Sequence, residues 1–468
     1  MTHAPTPEQT TILAEASSSA NLSIRALAGT GKTSTLEMLE PLLPSRPVLY
    51  LAFNKRIVDE AKGRLRGTTT IKTFNGLGHG IWSKGRSISL NAKKSQAVFK
   101  ELVDEMPKAA ASAAWDCYYP VLDGVARAKC FGYVPEGAFD NAKRLIHRQA
   151  FHSALEELPD DLTADLIDAV LVRSIHKAYK GFIDFDDQLY MPALFGGAFP
   201  QFPTVLVDEA QDLNPIQHAM LTKLVRGRLI VVGDPWQSIY AFRGAKAGGM
   251  AELEAKHAMS ILPLSVSFRC PEAIVRAAQW RVPHFRWNKP GGKVETLARL
   301  DMAGIPDAAV VLCRNNAPLL HVALLLLSVG RNVSLLGSEL GPRLVGIMRR
   351  FGDTDLRRPA LLEAIGEWEA IRLERESKSA SDLAACMRVF AEAGDTLGTA
   401  ISYAEHIFAQ RGGITLSTVH KAKGLEWDNV FLLDPHLIGH GEQEYNLRYV
   451  AQTRSANYLA EITTEGLQ

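Results

Sequence analysis

The sequence predicts an α/β protein of two lobes, each with a parallel sheet flanked by helices and each interrupted by a helical insertion. Short apolar runs of β-type residues alternate with helical stretches, which is typical of parallel sheets. This alternation stops twice, and the pattern there becomes helical. We therefore expect a first lobe at 1–84 and 181–258 around an insertion at 85–180, and a second lobe at 259–339 and 412–468 around a reduced insertion at 340–411.

The predicted strands are short apolar runs bounded by turn residues. In the first lobe they are Leu22–Leu27, Val48–Phe53, Thr69–Thr73, Thr204–Val207 and Leu229–Val232. In the second lobe they are Ile261–Val266, Ala309–Cys313, Val333–Leu336, Ile414–Val419, Val430–Leu433 and Tyr458–Ile462.

Composition narrows the class of protein. A formal net charge of +1 excludes a protein that holds nucleic acid through bulk charge, so any DNA binding needs a local basic track with stacking aromatics. No apolar run spans a bilayer, and the first residues lack a basic stretch followed by an apolar one. The 5 cysteines are widely spaced, which is typical of reduced thiols. We therefore expect a cytoplasmic protein.

The first motif is a candidate phosphate-binding loop. Residues 26–33, Ala-Leu-Ala-Gly-Thr-Gly-Lys-Thr, follow an apolar strand and open a helix, although the strict pattern has Gly where Ala26 stands. Lys32 would neutralise the β- and γ-phosphates of a nucleotide, and the Thr33 hydroxyl would hold Mg²⁺. The alternative is a tight strand–helix turn. The candidate nucleotide-binding residues of the loop are Ala28, Gly29, Thr30, Gly31, Lys32, Thr33 and Ser34.

The second motif is a pair of carboxylates at the end of a buried strand. Asp208 and Glu209 follow the apolar run Thr204–Val207, at the sheet edge where α/β sites lie. Asp208 would hold Mg²⁺ and Glu209 would deprotonate the attacking water. Taken alone, the pair could be a polar loop after a strand. Together with the phosphate loop it predicts nucleotide hydrolysis.

A third strand is followed by a glutamine and three aromatic residues. Gln237 could hydrogen-bond the γ-phosphate and sense its loss. Trp236, Tyr240 and Phe242 either pack in the core or include a base-stacking platform, where each base contributes about 1–3 kcal/mol.

With these motifs the sequence resembles a superfamily 1 DNA helicase of the UvrD/Rep type. The distinctive residues are 208–212 (Asp-Glu-Ala-Gln-Asp), 233–245 (Gly-Asp-Pro-Trp-Gln-Ser-Ile-Tyr-Ala-Phe-Arg-Gly-Ala) and 418–427 (Thr-Val-His-Lys-Ala-Lys-Gly-Leu-Glu-Trp). The resemblance implies two RecA-like P-loop NTPase lobes. Residues 52–55 are similar to the F-box DNA helicase branch, with the F-box itself expected to be absent and a bacterial or phage-infected cell as the expected host, where the protein would be nucleoid-associated.

The resemblance also implies roles for residues outside the phosphate loop. Gln9 would read the adenine edge, Phe268 would stack on the adenine in place of the usual Tyr, and Glu426 would contact the ribose. Arg269 and Arg454 would act as arginine fingers on the γ-phosphate. A surface Gln before a helix and surface salt bridges of the two arginines are the alternatives.

The same resemblance implies a track for single-stranded DNA. Aromatic side chains would stack on bases, while Lys, Arg, Thr and Asn would hold phosphates. The candidates are Phe53, Asn54, Lys55, Thr73, Phe74, Asn75, Tyr240, Phe242, Arg243, Arg314 and His420. His420 could instead cap backbone groups. Residues 185–187 (Phe-Asp-Asp) match a short family motif that we interpret as helping to connect the lobes.

The resulting hypothesis is an ATP- and Mg²⁺-dependent helicase or translocase. It would move 3′→5′ on single-stranded DNA as a monomer, engage junctions of single- and double-stranded DNA, and serve repair, recombination or replication. ATP bound between the lobes would close them and hydrolysis would open them. The alternatives are a DNA-stimulated ATPase that strips proteins with little unwinding, and a nucleotide-gated DNA clamp.

Overall fold

The computed structural model of the chain describes residues 4–139, 141–155, 158–241, 244, 248–337, 339–374 and 379–467. The chain divides into two compact units. The second unit consists of Leu27–Thr30 and the chain from Ser265 onward, and the first unit is the remainder.

The first unit is built on a six-stranded parallel sheet with the order β3-β2-β6-β7-β1-β8. The predicted strands of the first lobe are all present in it. The strands of the unit are β1 (Leu22–Ala26), β2 (Val48–Ala52), β3 (Thr70–Thr73), β4 (Ser89–Leu90), β5 (Phe182–Ile183), β6 (Phe202–Val207), β7 (Val225–Gly233) and β8 (Ser260–Leu264).

Strand β8 corrects one prediction. The run Ile261–Val266 was expected to open the second lobe, but Ser260–Leu264 pairs in parallel with β1 at the edge of the first sheet. An edge strand and the first strand of a new sheet have the same local sequence pattern, so periodicity could not separate them. The boundary therefore lies between Leu264 and Ser265.

Helices cover both faces of the first sheet, and the predicted helical insertion is present. Helices α5 to α9 form it, and β4 and β5 pair in parallel at its base. The helices of the unit are α1 (Pro7–Ala14), α2 (Lys32–Leu39), α3 (Lys55–Lys62), α4 (Phe74–Ser83), α5 (Lys94–Asp104), α6 (Lys108–Asp116), α7 (Tyr118–Phe131), α8 (Arg148–Ser153), α9 (Asp161–Tyr179), α10 (Asp187–Phe195), α11 (Pro215–Leu224) and α12 (Gly249–Lys256).

Strand β2 shows how the first sheet is packed on both faces. Alternate side chains of a strand point to opposite faces. Val48, Tyr50 and Ala52 join a core with the apolar residues of α2, whereas Leu49 and Leu51 join the core that continues into the insertion. The phosphate loop and α2 follow β1 at the carboxyl edge of this sheet, where β6 and β7 also end.

The second unit contains another six-stranded parallel sheet, with the order β11-β16-β15-β12-β14-β13. Strand β11 was not predicted, because this edge strand is mostly exposed and has no apolar run. The strands are β9 (Val266–Ser267), β10 (Arg286–Trp287), β11 (Lys293–Thr296), β12 (Val310–Cys313), β13 (Val333–Leu335), β14 (Ile414–Thr418), β15 (Trp427–Leu433) and β16 (Ser455–Ile462).

Helices α15 to α18 form the predicted second insertion and share one apolar core with this sheet. The helices of the unit are α13 (Glu272–Ala278), α14 (Asn316–Ser328), α15 (Leu340–Met348), α16 (Arg358–Glu374), α17 (Ala380–Ala393), α18 (Leu397–Ala409), α19 (Val419–Ala422) and α20 (Glu442–Gln452). Within the described ranges, none of the helices is both long and apolar enough to cross a membrane.

Candidate functional site

Four predicted site residues meet at the carboxyl edge of the first sheet. Lys32 and Thr33 are the first two residues of α2, and Asp208 and Glu209 follow β6. The Lys32 ammonium donates to Glu209 Oε2 at 3.3 Å, and the Thr33 hydroxyl donates to Asp208 Oδ2 at 3.2 Å. The loop and the carboxylates, which are more than 170 residues apart in the sequence, therefore form one polar cluster.

Electrostatics keep Lys32 charged although its side chain is mostly buried. Burial alone would lower the pKa of Lys32, but the carboxylates of Glu209, Asp234 and Asp208 raise it above its ordinary value. Burial and the negative charge of Glu209 raise the pKa of Asp208 to about 6. The cluster thus pairs a firmly cationic lysine with a carboxylate that binds a proton more readily than usual.

Glu209 has a left-handed backbone, with φ of 53°, which costs a residue with a Cβ on the order of 1–3 kcal/mol. Its N–H donates to Asp208 Oδ1 at 2.8 Å, and the Gln211 amide donates to its Oε2 at 2.6 Å. These contacts hold the strained turn. The turn places consecutive carboxylates on the same side of the sheet edge, beside Lys32.

Gln237 lies at the end of β7 and is connected to the acidic pair through Gln211. The Gln237 amide donates to Asp234 Oδ2 at 2.6 Å, and the Asp234 N–H donates to Gln211 Oε1 at 3.0 Å. Burial raises the pKa of Asp234. Since Gln211 also donates to Glu209, a continuous set of hydrogen bonds joins Gln237 to the predicted general base.

Gln9 lies against the same loop. Its amide nitrogen donates to Thr35 Oγ1 at 3.0 Å, and its amide oxygen accepts from the Thr6 N–H at 2.9 Å in a capping box at the start of α1. A Cβ on Gly31 would lie 3.6 Å from the Gln9 amide nitrogen. The predicted adenine-reading residue is therefore ordered by α1 and α2 next to the loop.

The first part of the phosphate loop, Leu27–Thr30, belongs to the second compact unit. The Ala28 N–H donates to the Tyr449 hydroxyl at 3.1 Å, and Ser267 donates to the Ala28 carbonyl at 2.9 Å. Gly29 has φ of +69°, and a Cβ there would lie 2.5 Å from the Cβ of Arg269. Only glycine fits this close approach.

The predicted arginine fingers differ in their surroundings within the second unit. Arg269 forms a salt bridge with Glu426, the predicted ribose contact. Arg454 is buried and donates to the carbonyls of Val450 and Leu425, each at 3.0 Å. Phe268, the predicted adenine platform, is exposed.

The candidate DNA residues after β2 are exposed. The Phe53 ring is 37% exposed and lies parallel to the Tyr240 ring, at 6.4 Å between centroids and 6° between planes. Asn54 accepts from the Ile57 N–H at 3.0 Å and so caps α3, and Lys55 begins that helix. Parallel aromatic rings, one of them exposed, beside an exposed lysine have the chemistry of a base-stacking site.

The candidates after β3 divide into two kinds. Thr73 caps α4, and the Asn75 amide donates to the Phe185 carbonyl at 2.8 Å. Phe74 is only 3% exposed and packs in the apolar core. Its ring would have to leave that core to stack on a base, so we correct the prediction and remove Phe74 from the track. Phe242 and Arg243 lie outside the described residues.

In the second unit, Arg314 and His420 are neighbours. The Arg314 guanidinium binds Glu444 through both Nε, at 3.0 Å, and Nη2, at 2.9 Å. Burial, followed by the positive charge of Arg314, lowers the pKa of His420 to about 4. His420 is therefore neutral at physiological pH, and the cationic groups beside it favour that neutral form.

Phe185 is a further candidate residue, although its motif carries no predicted chemistry. Its ring is 53% exposed, while Asp184 and Asp187 on either side are buried. Lys94 of α5 and Lys129 of α7 bind these aspartates at 2.5 to 2.8 Å. The motif thus ties the insertion to α10. That it also helps to connect the lobes stays a prediction. In the sequence, the signal that could have singled out Phe185 is an aromatic residue flanked by aspartates.

Comparisons with known proteins agree with this geometry. A family model described as the UvrD/REP helicase N-terminal domain matches residues 6–258, and one described as the UvrD-like helicase C-terminal domain matches residues 413–460. F-box DNA helicase protein 1 of Schizosaccharomyces pombe is 24% identical over 94% of this chain and 55% of its own length. ATP-dependent DNA helicase UvrD2 of Mycobacterium tuberculosis is 23% identical over 93% of this chain and 75% of its own length. The chain thus spans about half the length of the F-box relative.

Proposed function

Because the chain belongs to the UvrD/REP helicase family, we propose that it is an ATP-dependent motor that moves 3′→5′ on single-stranded DNA and unwinds duplexes during repair, recombination or replication. The observation that carries the proposal is the convergence of Lys32, Thr33, Asp208 and Glu209 at one sheet edge. Relatives named as DNA helicases support the DNA substrate, and the family resemblance supports the direction.

Magnesium fits the residues of this cluster. The Thr33 hydroxyl and the Asp208 carboxylate are 3.2 Å apart, and both supply the hard oxygen donors that Mg²⁺ prefers. Bound Mg²⁺ would neutralise charge on the β- and γ-phosphates. Lys32 would neutralise the same phosphates, and Glu209 would accept the proton of the attacking water.

The remaining nucleotide roles are proposed from motif position. Gln237 would hydrogen-bond the γ-phosphate and sense its loss. Hydrogen bonds through Asp234 join Gln237 to Gln211. Gln9 would read the adenine, which an amide can pair through N6 and N7. Phe268 would stack on the base and Glu426 would contact the ribose. Arg269, now paired with Glu426, and Arg454 would act on the γ-phosphate.

The DNA grip is proposed for exposed and half-buried residues of the first unit, together with Arg314 and His420 of the second unit. Phe53 and Tyr240 would stack on bases, since each base can contribute about 1–3 kcal/mol without sequence preference. We add Phe185, whose exposed ring is held beside Asn75. Polar side chains would contact phosphates and sugars, namely Asn54, Lys55, Thr73 and Asn75.

The test is strand separation on duplexes that carry a single-stranded tail at either the 3′ or the 5′ end. The proposal expects ATP-dependent unwinding of the 3′-tailed duplex. Displacement of streptavidin from biotinylated single strands reports movement without unwinding. Glu209→Gln is the hydrolysis-deficient control.

The outcomes separate the alternatives. Streptavidin displacement without strand separation would favour a translocase that strips proteins. Tight, nucleotide-dependent DNA binding without either activity would favour a clamp. Unwinding of the 5′-tailed duplex alone would contradict the direction.

A further inference from the structure

Tyr50 is a buried polar residue beside the nucleotide cluster to which the sequence analysis gave no role. It is 0% exposed at the centre of β2, the strand between β3 and β6. Its ring lies on the face of the sheet that packs against α2, the helix that begins with Lys32 and Thr33. Its register partner on β6 is Leu206, two residues before Asp208. The alternation of β2 therefore points this side chain toward the cluster.

The hydroxyl is the informative part of Tyr50. A phenylalanine would fill the same apolar space, and burying a hydroxyl without a partner costs about 1–3 kcal/mol. The Tyr50 hydroxyl donates to Asp208 Oδ2 at 3.0 Å. The strands reinforce this pair, because the Asp208 N–H donates to the Leu51 carbonyl at 3.0 Å.

The two carboxylate oxygens of Asp208 accept hydrogen bonds from different donors. Oδ1 accepts from the Glu209 N–H at 2.8 Å, and Oδ2 accepts from Tyr50 and from Thr33. Thr33 is itself a proposed metal ligand. Tyr50 is thus a donor that can hold the carboxylate plane without taking part in coordination.

We propose that Tyr50 is a positioning residue for the divalent cation: its hydroxyl fixes Asp208 Oδ2, so that the free lone pairs of the carboxylate face the metal or a metal-bound water. The inference rests on the proposed function, because it requires a nucleotide–metal site at Asp208. Loss of a group that orients a metal ligand typically lowers metal affinity about 10- to 100-fold.

The test uses Tyr50→Phe, with Tyr133→Phe as the matched control. Tyr133 is also fully buried, and its hydroxyl donates to Asp168 at 2.8 Å within the insertion. Binding of Mn²⁺ to the full chain saturated with ADP is measured by electron paramagnetic resonance. We expect the dissociation constant of Mn²⁺ to rise about tenfold in Tyr50→Phe and to stay at the wild-type value in the control.

A second measurement separates positioning from a folding defect. The Mg²⁺ concentration for half-maximal hydrolysis should rise in Tyr50→Phe, while kcat at saturating Mg²⁺ stays near that of the wild type. Tyr50→Met also removes the hydroxyl but gives the side chain a different shape. It should show the same rise in the Mg²⁺ concentration for half-maximal hydrolysis.

Two results must be distinguished. Unchanged Mn²⁺ affinity in Tyr50→Phe, or a fall in kcat that excess Mg²⁺ does not restore, overturns the inference and leaves the nucleotide site intact. A wild-type chain that binds neither ADP nor Mn²⁺ overturns the proposed function itself.

Discussion

The nucleotide cluster and the DNA track of the first unit differ in how their side chains are supported. In the cluster, Asp208 is buried and the Lys32 side chain is only 12% exposed, and each is held by partners from another part of the chain. In the track, the exposed Phe53 ring lies parallel to the half-buried Tyr240 ring. Chemistry on phosphate needs fixed charges at fixed distances, whereas sliding along DNA needs surfaces that any base can use.

The largest expected effect comes from breaking the cluster. Glu209→Gln should lower kcat at least about a hundredfold, because the general base is lost while the shape is kept. The same variant should still bind ATP, whereas Lys32→Ala should lose both binding and turnover. Filter binding of labelled ATP and steady-state hydrolysis measure the two properties. Glu105→Gln, at an exposed salt bridge in the insertion, is the control, and an equal loss of rate there would contradict the account.

Buried charge also holds the first insertion, which gives the next largest effect. Lys129→Met removes the ion pair of Asp184 and leaves Asp187 paired with Lys94 in a buried site, so the free energy of unfolding should fall by about 3–5 kcal/mol. Arg173→Met removes an exposed partner of Glu105 and should cost less than about 1 kcal/mol. Urea unfolding of both variants checks the difference, and equal losses would refute the assignment.

Removing one aromatic ring of the DNA track should have a smaller effect. Phe53→Ala should weaken single-stranded DNA binding by about 1–3 kcal/mol, since it removes one stacking face. Basal hydrolysis without DNA should not change. Fluorescence anisotropy with an oligonucleotide measures the affinity. Tyr403→Ala, at an exposed ring on the second insertion, should bind DNA like the wild type, and a loss there equal to that of Phe53→Ala would contradict a localised track.

The smallest expected effect is a pH dependence at His420. Its pKa is about 4 in the folded chain and about 6.5 when unfolded, so the unfolded state binds the proton first as pH falls. Stability should therefore decrease on acidification from about pH 6.5 to 5, by on the order of 1 kcal/mol, and the loss should stop below about pH 4. His420→Asn should remove this component from urea unfolding measured across the range. An unchanged slope would contradict the assignment.

The sequence predicted the cluster better than the track for a physical reason. The loop and the acidic pair follow apolar strands, and carboxyl ends of parallel strands meet at one edge, so their convergence follows from local patterns. Whether Phe74 is buried depends on which face of α4 packs inward, and a single aromatic in a motif does not indicate that. Tyr50 and Asp208 are paired by strand order, and β8 joins the first sheet for the same kind of reason. Local periodicity shows neither the Tyr50–Asp208 pair nor the sheet to which β8 belongs.

If the nucleotide cluster and the DNA track serve one motor, single-stranded DNA should stimulate ATP hydrolysis. Steady-state ATP hydrolysis is measured while a single-stranded oligonucleotide is titrated, with blunt duplex as the comparison. We predict that the rate rises with the oligonucleotide and saturates, and that Phe53→Ala shifts the midpoint to higher concentration without lowering the plateau. A rate that is the same with and without single-stranded DNA would contradict the account.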